Sequence, residues 1–278
     1  MNSSIFLSIT TFIYGLAAFF YIFSVVFKKP FFGKLGTWAF LAGILGNAGG
    51  ILLRWFESYQ FGVGHAPLSN KYESLVFFAF VIGVVYLVVE KTYQNRSIGA
   101  FTSPLAFLSM AYASLSPNIS DRIQPLLPAL KSNWLIAHVV ACFIGYAAFA
   151  IAFGLGIMFL LKQNESELGT PFLKFFPDLS LIDELSHQMI MFGFLFLTVG
   201  IITGAVWANS AWGRYWGWDP KETWSLITWF IYATLLHARF MRGWRGKRLA
   251  YLSIIGFMAV LFTYFGVNYL PGLHSYGQ

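Results

Sequence analysis

The sequence predicts an all-α integral membrane protein, a polytopic bundle of about eight transmembrane helices with both termini outside the cytoplasm. Of its 278 residues, 58% are apolar and only 10% are charged, whereas a water-soluble domain carries about 25% charged residues. Apolar runs of about 20 residues, the length that crosses a hydrocarbon core of about 30 Å, recur along the chain. Lys and Arg are concentrated in alternate loops, which sets the orientation.

The candidate spans are bounded by charged residues, Gly, Pro or turn clusters. They cover approximately Ser3–Phe27, Gly36–Leu53, Lys71–Val89, Ile98–Ser114, Trp134–Leu161, Ser186–Trp207, Thr223–His237 and Leu249–Leu270. The lysines nearest the first span follow it, and no positive segment precedes it. We therefore expect an uncleaved helix and not a signal peptide.

The basic residues divide unequally between the two sides. Twelve fall in one set of loops and six in the other, of which the smaller set is Arg54, Lys71, Arg122, Lys131, Arg214 and Lys221. The positive-inside rule makes the larger set cytoplasmic and places both termini outside. Because topology accounts for the formal charge of +7, a nucleic-acid partner is unnecessary.

Nothing divides the chain into parts. It has no repeat of fixed period, no low-complexity tract and no polar linker, so we expect one integral domain over residues 1–278. The single cysteine, Cys142, lies in an apolar run and leaves the chain without a C-x-x-C pair of its own. Any thiol chemistry is therefore performed on a partner.

The third outward segment is rich in tryptophan. Six of the ten tryptophans lie between Trp207 and Trp229. An interfacial aromatic belt would supply one or two at each helix end, whereas a Gly-containing loop of indoles can form a platform for a large planar ligand. We predict such a loop over residues 207–224.

The end of this loop resembles the start of a helix. Asp219 is a good N-cap, Pro220 suits the first helical position, and Glu222 completes a capping box. The same pattern occurs at Asn70 and Glu73. These side chains are therefore predicted to begin helices, which needs no proton transfer.

The histidines separate by depth. His138 lies about 6 Å below the predicted outer end of its span, and His65 and His274 lie in outward segments. His237 lies about 21 Å beyond Thr223, nearer the inner face, where we expect no second histidine of this chain. An imidazole in a membrane helix is costly and usually functional.

An outer pair drawn from His138, His274 and His65, beside an aromatic loop, suits a haem. The histidines would ligate the iron axially, and the rings of Trp212, Trp216 and Trp218 would stack on the macrocycle. The cations Arg214 and Lys221 would pair with the propionates. Zinc is disfavoured because no carboxylate or thiolate accompanies the histidines.

Residues 212–224, WGRYWGWDPKETW, resemble the WWD signature of haem-handling proteins, and specifically the CcsA (ResC) family of System II cytochrome c maturation. Residues 64–74, 235–239 and 273–277 support the resemblance. It implies that haem b is received, exported to an external WWD site that includes Asp219, and attached to C-x-x-C-H of an apocytochrome c.

The resemblance also implies roles and partners. His138 and His274 correspond to the outer ligands and His237 to the ligand of an inner entry site, while His65 lies in a shared segment without a known ligand role. A CcsB (ResB)-like membrane subunit is implied, and cytochrome c synthase activity is expected only in complex with it. The implied location is a bacterial plasma membrane or a thylakoid membrane, with the active face outside the cytoplasm.

Two other functions fit the same features. A membrane b-type cytochrome would use the aromatic residues to pack haems for electron transfer, but it needs paired histidines at two depths. A transporter of haem or another organic anion would use the Trp-rich loop as an exit gate.

Overall fold

The computed structural model describes residues 2–164 and 171–270, and within them the regular structure is entirely helical. Eight long helices are α1 Ser3–Val26, α2 Pro30–Gln60, α3 Lys71–Tyr93, α4 Gly99–Leu115, α5 Asn133–Gln163, α6 Leu179–Trp212, α7 Pro220–Arg242 and α8 Lys247–Tyr264. Short 3₁₀ turns lie at Arg96–Ile98, Pro128–Leu130, Pro171–Phe175 and Gly266–Tyr269. The predicted all-α fold is confirmed.

Seven segments in the described part of the chain are long and apolar enough to cross a membrane, which confirms a multi-pass membrane protein. They contain α1 to α6 and α8. The exception is α7, which has 23 residues but carries charges at both ends and His237 within. The seventh predicted span is therefore a helix of sufficient length with a more polar composition than the others.

The helix α6 is longer than predicted because the charged residues in its first turns are paired. The predicted span Ser186–Trp207 is part of α6, which begins at Leu179 and includes Asp183 and Glu184 in its first turns. Both carboxylates bond to Arg239 of α7, at 2.6 and 3.0 Å. A charge that looks like a helix boundary in the sequence is thus accommodated inside the helix.

The chain divides into two compact units. The first comprises Met1–Leu126 and Leu161–Pro177 and contains α1 to α4. In it α1 packs against α2 and α4, and α3 packs against α4. Its interior holds polar pairs, including Arg54 with Glu73 at 2.8 Å and Glu90, which accepts hydrogen bonds from Tyr21 and Tyr86 at 2.6 and 2.7 Å.

The second unit comprises Leu127–Leu160 and Asp178–Gln278 and contains most of α5 with α6, α7 and α8. Here α5 contacts each of the other three helices. Its Phe149 stacks on Tyr232 of α7 at 3.6 Å between ring centroids, and its Phe153 lies 4.9 Å from Phe257 of α8. On α6, Gly193 faces Gly145 so closely that a Cβ added at Gly193 would lie 3.0 Å from the Gly145 carbonyl oxygen. The single-domain prediction for residues 1–278 stays a prediction.

The orientation of the helices in the membrane stays a prediction as well. Reporter fusions after Lys247 and after Gln278 should report opposite compartments, because one apolar helix lies between them. We expect the fusion after Gln278 to be active outside the cytoplasm and the fusion after Lys247 inside. Cytoplasmic activity at Gln278 would contradict both termini being outside.

Candidate functional site

His138 is held by its neighbours on α6. It lies in the second turn of α5, and its Nδ1 is 2.7 Å from the Gly200 carbonyl oxygen. A carbonyl oxygen can only accept, so Nδ1 is the donor and carries a proton in the neutral form of the ring as well as in the charged one. The lone pair is then on Nε2, which is the form that binds a metal.

The plane of the His138 ring is also fixed. Trp207 of α6 lies nearly parallel to it, with ring centroids 6.1 Å apart and 16° between planes. The Trp207 indole is itself anchored, because its Nε1 donates to the Ala129 carbonyl at 2.8 Å. An imidazole with a set tautomer and a set plane suits an axial iron ligand.

His138 is not part of a cluster of metal-binding side chains among the described residues. Within residues 2–164 and 171–270, no three His, Cys, Asp or Glu side chains converge on a common point. A macrocycle brings its own four nitrogens, so it asks the protein only for axial ligands. The second predicted outer ligand, His274, lies outside the described residues.

The Trp-rich loop is shorter than predicted, because α6 continues to Trp212 and α7 starts at Pro220. Gly213 ends α6 in the left-handed region, with φ 73°. Asp219 caps α7 and forms the predicted capping box with Glu222. The capping prediction is therefore confirmed at this helix and also at Asn70, which accepts from the Glu73 amide at 2.9 Å.

Glu222 organises the loop as well as the helix start. Its Oε2 accepts from the Gly217 and Asp219 amides, at 2.8 and 3.1 Å. Between them, Trp218 takes a left-handed conformation with φ 58°, which costs a residue with a Cβ about 1 to 2 kcal/mol. This conformation leaves the Trp218 indole 69% exposed.

The tryptophans do not form one flat surface. Trp216 and Trp218 are perpendicular, at 87° with centroids 5.8 Å apart. Trp207 is buried against His138, and Trp229 donates from Nε1 to Thr198 at 2.9 Å inside the unit. Of the predicted platform, Trp218 is exposed and contacts Trp216, whereas Trp212 lies against Trp207 with ring centroids 4.9 Å apart.

Two cations predicted to meet propionates lie near this loop. The exposed Arg214 folds over Gly217, where an added Cβ would be 2.7 Å from Arg214 Nε. Lys221 reaches Asn268 Oδ1 at 3.4 Å. Both stay predictions as ligands of haem.

His65 lies in the other unit and has a different environment. It is buried, with Nδ1 2.8 Å from the Ala66 carbonyl oxygen and Nε2 3.1 Å from that of Gln124. The Gln124 contact ties the segment after α2 to the segment after α4. This geometry favours a structural role over iron ligation for His65.

His237 lies on an exposed stripe of α7. Ile227, Phe230, Thr234 and Met241 share that stripe at helical spacing and are exposed too. If α7 crosses the membrane as the sequence predicts, an imidazole exposed on its surface needs a partner there. The stripe is therefore a candidate contact for a haem or for another polypeptide.

The expectation that no second histidine lies at the depth of His237 is wrong. His187 of α6 contacts the ring of Phe240 on α7, 5.2 Å between centroids, and Phe240 is less than one turn from His237. Sequence reasoning missed this because it began the span at Ser186, which put His187 at the inner start of the span. His187 is buried, and its Nδ1 has no hydrogen-bond partner among the described residues.

Sequence reasoning also missed the residues that hold His138. Gly193, Gly200 and Gly204 are spaced by seven and four residues, which places them on one face of α6. This spacing is visible in the sequence and could have indicated a close helix contact. The glycine spacing could not indicate which carbonyl lies beside His138, because that depends on how α5 packs against α6.

Replacing Trp218 with Ala is expected to reduce haem retention about fivefold, the loss of roughly 1 kcal/mol of ring stacking. Trp218→Phe keeps an aromatic face and should lose less. The measurement is haem per polypeptide in purified protein, with Trp229→Phe as the matched control inside the unit. Equal retention in Trp218→Ala and Trp218→Phe would contradict stacking.

Comparison with known proteins shows the family of this chain. The family model for the cytochrome c assembly protein matches residues 68–274. The CcsA cytochrome c biogenesis protein of Gloeobacter violaceus is 39% identical, over 98% of this chain and 93% of that protein. That of Mesostigma viride is 43% identical, over the same two shares. The chain belongs to the CcsA family.

A solved structure shows the same fold at low sequence identity. The cytochrome c haem lyase CcmF aligns with a TM-score of 0.70 and 14% identity. The alignment covers 95% of this chain and 47% of that protein, so this CcsA-family chain corresponds to about half of CcmF.

Proposed function

We propose that this chain matures c-type cytochromes by receiving haem b, presenting it outside the cytoplasm and supporting its covalent attachment to apocytochrome c. The single observation that carries the proposal is the hydrogen bond from His138 Nδ1 to a backbone carbonyl, which orients the imidazole. The Trp-rich loop between α6 and α7, called the WWD loop, lies in the same unit. Family membership supports the same role, since the relatives are named cytochrome c biogenesis proteins.

The outer site would hold haem by two imidazoles, those of His138 and His274. Haem is the substrate here and brings the iron and the two vinyl groups. Attachment adds the S–H of each apocytochrome cysteine across one vinyl double bond, forming a thioether without a leaving group. The chain contributes positioning: it orients the macrocycle and keeps its iron ligated until the apocytochrome histidine replaces one axial ligand.

The inner site would use His237, with its second ligand from a CcsB-like membrane subunit. The exposed stripe around His237 supports this choice over His187. A porphyrin on His237 would lie outside the bundle, whereas His187 is buried where α6 meets α7. Synthase activity is accordingly proposed for the complex, in a bacterial plasma membrane or a thylakoid membrane with the WWD face outside the cytoplasm.

A deletion strain tests the function. Loss of the chain should eliminate covalently bound haem in all c-type cytochromes and leave b-type cytochromes at normal levels. A chain that served as a b-type electron-transfer subunit would instead leave c-type haem attached and stop one respiratory or photosynthetic reaction. A plain haem transporter would lower both classes together. Restoration by a plasmid copy of the chain is the control.

A further inference from the structure

We propose that Gly200 and Gly204 are positioning residues of the outer haem site, because they set the tautomer and ring position of the ligand His138. The inference rests on the proposed function, in which His138 binds iron. It adds that the Gly200 carbonyl sets the tautomer of His138 and that the absence of a side chain at Gly204 leaves room for the ring.

The first step is the approach of the two helices. A Cβ added at Gly200 would lie 2.5 Å from Cys142 Sγ and 3.2 Å from the Cys142 backbone nitrogen. Real side chains do not tolerate such distances, so α6 can approach α5 this closely only with glycine at position 200. The approach brings the Gly200 carbonyl within 2.7 Å of His138 Nδ1.

The second step concerns the ring itself. A Cβ added at Gly204 would lie 2.6 Å from His138 Nδ1 and 2.8 Å from Cε1. The imidazole therefore occupies the space that a side chain at position 204 would need. Any substitution there displaces the ring from the carbonyl and from Trp207.

The third step is chemical. A histidine whose Nδ1–H donates to a carbonyl is a more basic ligand through Nε2. Loss of such a contact typically lowers metal affinity by about 10- to 100-fold. A more basic ligand favours the ferric state, so the bond lowers the reduction potential of the haem. The Thr203 hydroxyl donates mainly to the Val199 carbonyl at 2.8 Å and makes a longer, secondary contact of 3.1 Å with the Gly200 carbonyl.

The test uses the full chain purified with its membrane partner, and measures outer haem as the amount above that in His138→Ala protein. Gly204→Ala should reduce outer haem about tenfold. The remaining outer haem should have a higher midpoint potential, and added imidazole should restore part of the occupancy by filling the iron position the ring has left. Gly193→Ala is the matched control, because it lies on the same face of α6 and would meet Phe149 at 2.6 Å but does not touch His138.

Thr203→Val provides a change of opposite sign that leaves packing intact. It removes the secondary contact of the Thr203 hydroxyl with the Gly200 carbonyl, so the hydrogen bond from His138 strengthens slightly and the midpoint potential falls slightly while occupancy stays full. A purely structural role of the two glycines would leave the midpoint potential of the haem unchanged in both Gly204→Ala and Thr203→Val. Full occupancy with unchanged midpoint potential in Gly204→Ala would overturn the inference.

The two failures are distinguishable. If His138→Ala itself retains all haem, the proposed outer ligand is wrong. If His138→Ala loses haem and both α6 variants behave as wild type, the ligand stands and only the positioning role is wrong.

Discussion

His138→Ala is expected to reduce c-type cytochrome formation to background while the protein still inserts in the membrane. The side chain removed is an axial ligand in the proposed outer site, and the WWD loop alone offers only stacking contacts worth about 1 kcal/mol each. Added imidazole should restore part of the activity by occupying the vacant iron position. The measurement is haem-stained c-type cytochrome in a deletion strain that carries the variant, at equal amounts of membrane-inserted chain.

His65→Ala is the control for that experiment. Both ring nitrogens of His65 face backbone carbonyls, so any loss it causes is structural and imidazole should not reverse it. His274→Ala should behave like His138→Ala. Normal maturation in either proposed ligand variant would refute the pair.

His237→Ala is expected to empty both haem sites of the complex, because supply at the inner site precedes attachment at the outer one. His138→Ala should by contrast keep haem at the inner site. Haem per complex, measured with and without the CcsB-like subunit, separates the two variants. If His237→Ala leaves the outer haem in place, the two sites do not act in sequence.

His187→Ala decides where the second inner ligand comes from. With a ligand from the partner subunit, this variant should keep its haem, since the buried His187 would have only a packing role at Phe240. Loss of inner haem in His187→Ala, together with bis-histidine spectra in the chain purified alone, would assign the ligand to α6 and remove the need for the partner.

The sequence predicted the parts of this fold that depend on local chemistry. Hydrophobic length located the helices, and the Asp219 and Asn70 caps follow from side-chain reach over three residues. It misplaced the start of α6, because the partner that accommodates Asp183 and Glu184 is Arg239, more than 50 residues away. A pairing across that separation leaves no local pattern.

The candidate site shows the same division. The residue types were predictable, because indoles and imidazoles in a membrane chain are unusual. The orientations of these side chains were not predictable. The perpendicular rings of Trp216 and Trp218 follow from the left-handed backbone at Trp218, and the burial of His65 follows from a contact with Gln124, 59 residues later in the chain.

The capping turn at Glu222 has a consequence for stoichiometry. The Glu222 carboxylate accepts hydrogen bonds from the Gly217 and Asp219 amides and so fixes the loop to the first turn of α7. The same helix carries His237, 18 residues after Asp219. At 1.5 Å per residue, the WWD loop and His237 stand about 27 Å apart on one continuous helix. One ligand cannot contact both ends of that length at once. With haem at both proposed sites, neither molecule would block the other, and the saturated complex should titrate to two haems per chain.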